Sequence, residues 1–238
     1  MRASYLRNLE KLEKDLGHSF SNKNLLIEAL THRSHHHENP DRVQCYNERL
    51  EFIGDSVLGL AVAEYLFNYS RDFSESEMSK IKSYVVRGAL LSEIAADISI
   101  GDYLRLGKGE DETGGRTKRS ILANSMEAIL GAVCLDAGYE SARKTVIGLL
   151  EGRILEAIRS GQYHSYKTEL QEESQMRFGV LPDYLIVSQE GEEHQTIFTV
   201  EVCIKGKKFG RGTGKNKKEA QTAAAREAIE KLKGGPGE

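Results

Sequence analysis

Glu48, Glu51 and Asp55 lie in the stretch NERLEFIGDSVLG, residues 47–59, among Leu, Phe, Ile and Val. Carboxylates avoid such company, because an unpaired buried charge costs several kcal/mol or shifts its pKa until it neutralises. The spacing i, i+3, i+7 puts all three on one stripe of a helix. Leu50, Ile53, Val57, Leu58 and Leu60 cover much of the remaining circumference, which predicts a helix buried on several sides. RSILANSMEAILGAVCLDAG, 119–138, repeats the anomaly with Asn124 and Glu127 at i, i+3. Two helices that aim oxygen atoms at one another build a pocket for a hard divalent cation. Mg2+ keeps several waters, so a few carboxylates suffice, with substrate phosphate completing the shell.

Other readings of these acids are weaker. Ion pairs with Arg49, Arg87 or Arg119 would explain any one of them, but each further unpaired acid adds to the cost of burial. A ferritin-like di-iron bundle needs Glu-x-x-His pairs, and no His stands three residues after Glu48, Glu51 or Glu127. The run His35-His36-His37 leads into Glu38-Asn39-Pro40 and reads as a solvated stretch, since consecutive residues do not converge on one ion.

A second chemistry is written near the C-terminus. Lys205, Lys207, Lys208, Arg211, Lys215, Lys217 and Lys218 fall in one short stretch with no acid among them, although acidic and basic side chains balance over 161–238. Such a focused patch holds anionic partners that a net charge of −3 would not predict. Lys215, Lys217 and Lys218 feed a helix N-terminus, where free N–H groups and the dipole suit a phosphate backbone. Thr168, Gln171, Glu172 and Gln175 form a polar stripe suited to 2′-hydroxyls in a wide minor groove, and His194 stands in a loop that could reach a second groove.

Helical periodicity is expected near 4–16, 22–31, 47–69, 77–97, 117–136 and 139–159, with Ser, Asn, Asp or Gly at many ends. The Gly-rich, charged segment 101–119 reads as a long loop, and RSGQYHS, 159–165, as a linker. The period then changes: a helix over 165–178, strand alternation in DYLIVSQEG, TIFTVEVCIKG and KKFGRGTG, and a last helix in NKKEAQTAAAREAIEKL. Ala220, Ala223, Ala224, Ala225 and Ala228 let that helix pack closely on a sheet. The fold class is therefore multidomain and mainly α, an all-helical domain followed by a small α-β-β-β-α domain.

Composition excludes other classes. No stretch approaches the roughly 18 consecutive apolar residues of a membrane span, and the N-terminus lacks an apolar signal region, so no membrane association is expected. Three scattered cysteines, none in a CxxC, argue against disulfides and zinc and make the cytoplasm the expected compartment.

NERLEFIGDSVL strongly resembles the signature of the ribonuclease III family. LTHRS (30–34), EMSKIKSYVVRG (77–88), LRLGKGE (104–110) and SILANSMEAILGAV (120–133) resemble further family blocks in family order, and the C-terminal part resembles a double-stranded-RNA-binding domain. The resemblance implies an endonuclease domain over 5–138 with its terminal helix running to about 158, a linker at 159–164 and an RNA-binding domain over 165–233. It implies a homodimeric endoribonuclease that uses Mg2+, with Mn2+ able to substitute, and no small-molecule cofactor. Each site would cut one strand of double-stranded RNA, leaving short 3′ overhangs, 5′-phosphates and 3′-hydroxyls. The RNAs would include ribosomal RNA precursors and some messenger RNAs.

By position, Glu51, Asp55, Asn124 and Glu127 match the family's metal ligands, with Asp55 and Glu127 as the catalytic pair. Glu48 and Glu75 match accessory acids, and Phe52 an aromatic that enters the partner subunit. Asn124 stands where the family usually has Asp: an amide oxygen can coordinate Mg2+ but brings no charge. That substitution keeps open a second reading, a non-cleaving or weakly cleaving RNA-binding regulator.

Overall fold

The computed structural model describes residues 2–41, 43–163, 166–191 and 196–234, and its chain divides into two compact units, 1–163 and 164–238. The first is helical: α1 (Arg2–Leu16), α2 (Lys23–Ala29), α3 (Arg33–Glu38), α4 (Glu48–Tyr69), α5 (Glu75–Val85), α6 (Gly88–Asp97), α7 (Ile100–Tyr103), α8 (Lys108–Glu112), a 3-10 turn at Gly115–Thr117 and α9 (Arg119–Ser160). The periodic segment 77–97 is two helices rather than one, parted where Arg87 takes an extended backbone ahead of Gly88. The two segments 117–136 and 139–159 run into each other as α9, with a kink at Gly138, whose φ of 80° a residue with a Cβ rarely adopts.

The core lies where α4 meets α9. Leu58, Ala61, Val62 and Leu66 on α4 and Met126, Ile129, Leu130 and Val133 on α9 are fully buried. Each large side chain removed from water contributes roughly 1.5–3 kcal/mol. Among the described residues α9 is the one helix long and apolar enough to cross a membrane, and its apolar window is mostly buried inside this unit, as the central helix of a folded core.

Two expectations fail here. Residues 101–119 are a folded segment, not an open loop. The Arg116 guanidinium donates to the carbonyls of Gly101 (2.9 Å) and Leu104 (3.0 Å) and pairs with Asp111 (2.8 Å), which pins the short helices together. The histidine run is solvated only at its end: His35 and His36 are half-buried on α3, while His37 is exposed. His35 Nδ1 lies 3.2 Å from the Leu106 carbonyl and its Nε2 3.1 Å from Arg105, while His36 Nδ1 meets the Val43 carbonyl. His35 and His36 are a seam joining α3 to its neighbours.

The second unit is α10 (Tyr166–Phe178), β1 (Asp183–Glu190), β2 (Ile197–Ile204), β3 (Lys207–Gly214) and α11 (Lys217–Gly234). The sheet is antiparallel in the order β1-β2-β3. Lys205 and Gly206, both at positive φ, turn β2 into β3, the geometry that matches strand twist in a tight hairpin. Leu170, Val200, Val202, Ile204 and Ile229 form the core with Ala220, Ala224, Ala225 and Ala228.

Candidate active site and nucleic-acid interface

The acids of α4 meet Asn124 and Glu127 of α9 because two glycines let the helix backbones touch. A Cβ on Gly54 would lie 1.7 Å from the Glu127 carbonyl oxygen, and one on Gly131 would lie 2.1 Å from that of Leu50. No side chain fits at either place, so the helices cross at backbone contact, and residues beside the crossing are pressed together. The sequence pointed to the acids; its signal for their closeness was Gly54 inside the first motif and Gly131 inside the second.

Electrostatics record that closeness. Burial first, then the charges of Asp55 and Glu51, push the Glu127 carboxyl up from 4.5 to about 7. Glu51 is raised too, by burial and by the charges of Glu48 and Asp55, and is partly relieved by a hydrogen bond from the Asn124 amide. Glu51 and Glu127 are half-buried, whereas Asp55 and Asn124 are exposed. The helix is thus not buried all round: the face carrying Asp55 is open, and Leu60, read as covering the helix, is 56% exposed.

Among the described residues no group of three or more His, Cys, Asp or Glu side chains comes together so as to hold a metal ion by itself. The donor set nevertheless fits an open Mg2+ site. Glu51, Asp55 and Glu127 crowd like charges together, and Asn124 adds an amide oxygen; water and phosphate would fill the remaining positions.

Beside this cluster lies a polar cavity of about 270 Å³, lined by His32, Arg33, Asn47, Glu48, Glu51, Glu110, Lys118, Ser120, Ile121 and Asn124. Glu48 faces Arg33 at 3.6 Å and Glu110 faces Lys118 at 3.2 Å. Burial, the largest influence on it, holds His32 below its ordinary value. Glu110 and Lys118 were missed in the sequence because 101–119 reads as loop, although an acid and a base in a charged segment just before the Asn124 helix were the available hint. Glu75 lines another cavity, with Leu60, Phe67 and Met78, and accepts from Ser79 Oγ (2.7 Å). Phe52 is 77% exposed on α4, and Phe67 on the same helix is 69% exposed.

In the second unit, Thr168, Gln171, Glu172 and Gln175 are exposed along α10. Asn216 and Glu219 cap α11 reciprocally: Glu219 N–H donates to Asn216 Oδ1 (2.9 Å), and Asn216 Nδ2 to Glu219 Oε1 (2.7 Å). This fixes Lys215, Lys217 and Lys218 at the helix start, all exposed and, among the described residues, with no carboxylate paired to their ammonium groups. The basic stretch is less uniform than it reads, because Lys208 and Arg211 face Glu201 on the adjoining strand. His194 lies outside the described residues.

A ribonuclease-III-like family model matches residues 22–153, and a double-stranded RNA binding motif matches 166–232. Ribonuclease 3 of Syntrophotalea carbinolica is 45% identical over 221 residues, covering 93% of this chain and 95% of that one. The chain belongs to the ribonuclease III family. Ribonuclease 3 of Caldanaerobacter subterraneus subsp. tengcongensis is 43% identical over 225 residues, covering 94% of this chain and 98% of that protein. Among solved structures, the ribonuclease III nuclease domain of Campylobacter jejuni, described with structural flexibility in the region involved in dimer formation, matches with a TM-score of 0.56. It is 41% identical and covers 60% of this chain and 96% of that one. The helical unit of this ribonuclease III is therefore its nuclease part, and the α-β-β-β-α unit its double-stranded-RNA-binding part.

Proposed function

We propose that this protein hydrolyses phosphodiester bonds of double-stranded RNA in a Mg2+-dependent reaction, Mn2+ substituting, and leaves 5′-phosphates, 3′-hydroxyls and short 3′ overhangs. The observation that carries this reading is the backbone-close crossing of α4 and α9 at Gly54 and Gly131, which gathers Glu51, Asp55, Asn124 and Glu127 into one cluster whose like charges a divalent cation would relieve. Glu51, Asp55, Asn124 and Glu127 would hold the cation, with Asp55 and Glu127 the catalytic pair. Bound there, it supplies an acidified water and neutralises charge developing on the phosphate. The chain's own residues hold the duplex in place: Lys215, Lys217 and Lys218 against phosphates, and Thr168, Gln171, Glu172 and Gln175 toward the minor groove.

The working form is a homodimer. Its support is the open apolar face of α4, with Phe52, Leu60 and Phe67 exposed, together with the Campylobacter jejuni domain's dimer-forming region. Phe52 is the dimer contact, and Glu75 lies on the same side, against Leu60 and Phe67. The compartment is the cytoplasm, in keeping with three free cysteines, and the RNAs processed are ribosomal precursors and some messengers.

Long double-stranded RNA incubated with and without Mg2+ tests the reading. Short duplexes bearing 5′-phosphates and two-sided 3′ overhangs, formed only with the metal, are expected. Binding without cleavage under every metal condition would instead favour the regulator that Asn124 allows.

A further inference from the structure

We propose that Arg33 and Lys118 grip phosphates of the RNA strand next to the scissile bond, and that Glu48 and Glu110 are positioning residues for these two cations rather than metal ligands. The inference rests on the function proposed above and assigns the polar cavity beside the acidic cluster.

The cavity joins the proposed metal ligands to two basic groups: Glu51 and Asn124 line it together with Arg33 and Lys118. A strand whose reacting phosphate sits at Glu51 and Asn124 must lay a neighbouring phosphate across this opening. Arg33 and Lys118 are well exposed, at 62% and 56% of their side-chain surface. Exposed pairs contribute little to folding, so stability does not account for two of them on one small cavity. The Arg33–Glu48 approach of 3.6 Å leaves most guanidinium N–H groups unused, and those groups match phosphate oxygens in a planar fork. Lys118 offers a point charge beside them. Each carboxylate can stay behind its cation as the phosphate arrives in front, fixing a long side chain that would otherwise lose entropy on binding.

The mounting is rigid. The His32 N–H donates to the Arg105 carbonyl (3.1 Å), the Asn47 N–H to that of Thr31 (3.0 Å), and the Gly107 N–H to Ser34 Oγ (2.9 Å). These bonds tie together the segments that bear Arg33, Glu48 and Glu110. A direct role for Glu48 as a metal ligand is less well supported: it is the acid most exposed on the cavity wall and already faces a guanidinium.

The test uses the full chain and a fixed RNA duplex. Affinity is measured in EDTA across a salt series, and single-turnover cleavage across a Mg2+ series. Arg33→Ala and Lys118→Ala should each lower the slope of log K against log salt by about one, the signature of a lost phosphate contact. Lys118→Arg should keep the slope. Glu48→Gln and Glu110→Gln should keep the slope and the Mg2+ midpoint while slowing cleavage several-fold. Unchanged slopes in both alanine variants would overturn the phosphate assignment, and a raised Mg2+ midpoint in Glu48→Gln would overturn the positioning role. If the unsubstituted protein neither binds nor cuts the duplex, the functional reading itself falls; if it does both and the slopes hold, only this inference falls.

Discussion

The nuclease and RNA-binding units each press a helix backbone onto its neighbour by omitting Cβ atoms, and they use the closeness for opposite electrostatic ends. In the nuclease unit Gly54 and Gly131 bring α4 to α9, and the result is Glu51, Asp55 and Glu127 crowded together. In the RNA-binding unit Gly210, Gly212 and Gly214 of β3 lie under the Ala-rich face of α11, where any Cβ would meet Ala220, Ala224 or Glu219. There the outcome is three lysines fanned into solvent at a capped helix end. The first arrangement concentrates charge where water cannot fully screen it, which is the setting the proposed cation would relieve. The second spreads charge where salt screens it, and so binds a polyanion with modest energy per contact. A catalytic centre needs the first kind of site and a shape reader the second.

The comparison breaks most sharply at Glu127. Glu127→Gln should lower cleavage about 10³-fold or more, in line with removal of one charge-stabilising group, while affinity for duplex RNA measured by titration stays within twofold. Undiminished cleavage would remove the acidic cluster from the chemistry. Next in size is Gly54→Ala. Its methyl would have to displace α9 backbone, so chemical unfolding of the nuclease unit should show a loss of about 3 kcal/mol. Gly59→Ala, on the same helix with nothing within 4 Å, should be neutral or slightly stabilising, which separates helix contact from helix propensity. Smallest is the paired Lys217→Ala and Lys218→Ala variant. Its affinity should fall roughly tenfold at low salt and less at high salt, with cleavage of bound duplex unchanged.

The sequence made the two domains legible because a period of 3.6 and a period of 2 are local properties, and it made the acids legible because carboxylates stand out among Leu and Ile. The Asn124–Glu127 pair was found the same way. What it hid depends on contacts distant in the chain. The segment 101–119 lacks periodicity, and its order comes from Arg116 bonded to carbonyls of 101 and 104. Glu110 and Lys118 reach the site only through that folding. The histidine run resembles a solvated stretch until Leu106 and Val43 supply its partners. The basic stretch reads as unpaired because Glu201, its counter-charge, sits on the neighbouring strand. Leu60 looks like a core residue by type, yet the α4 face that bears it is open.

Crowding of Glu127 with Glu51 and Asp55 opposes folding once these acids ionise, and pH reads that crowding directly. Glu127 titrates near 7 in the folded protein against 4.5 for an ordinary glutamate, so between those values the folded state holds a proton that the unfolded state has lost. The stability this contributes is therefore complete at low pH and is lost as pH rises through about 7, with Glu51 acting in the same direction. Urea unfolding in EDTA from pH 5 to pH 8 should show the protein losing stability relative to its Glu127→Gln variant as pH rises, and Mg2+ should restore it at pH 8. A stability difference between the two that does not change with pH, or no rescue by Mg2+, would contradict the account.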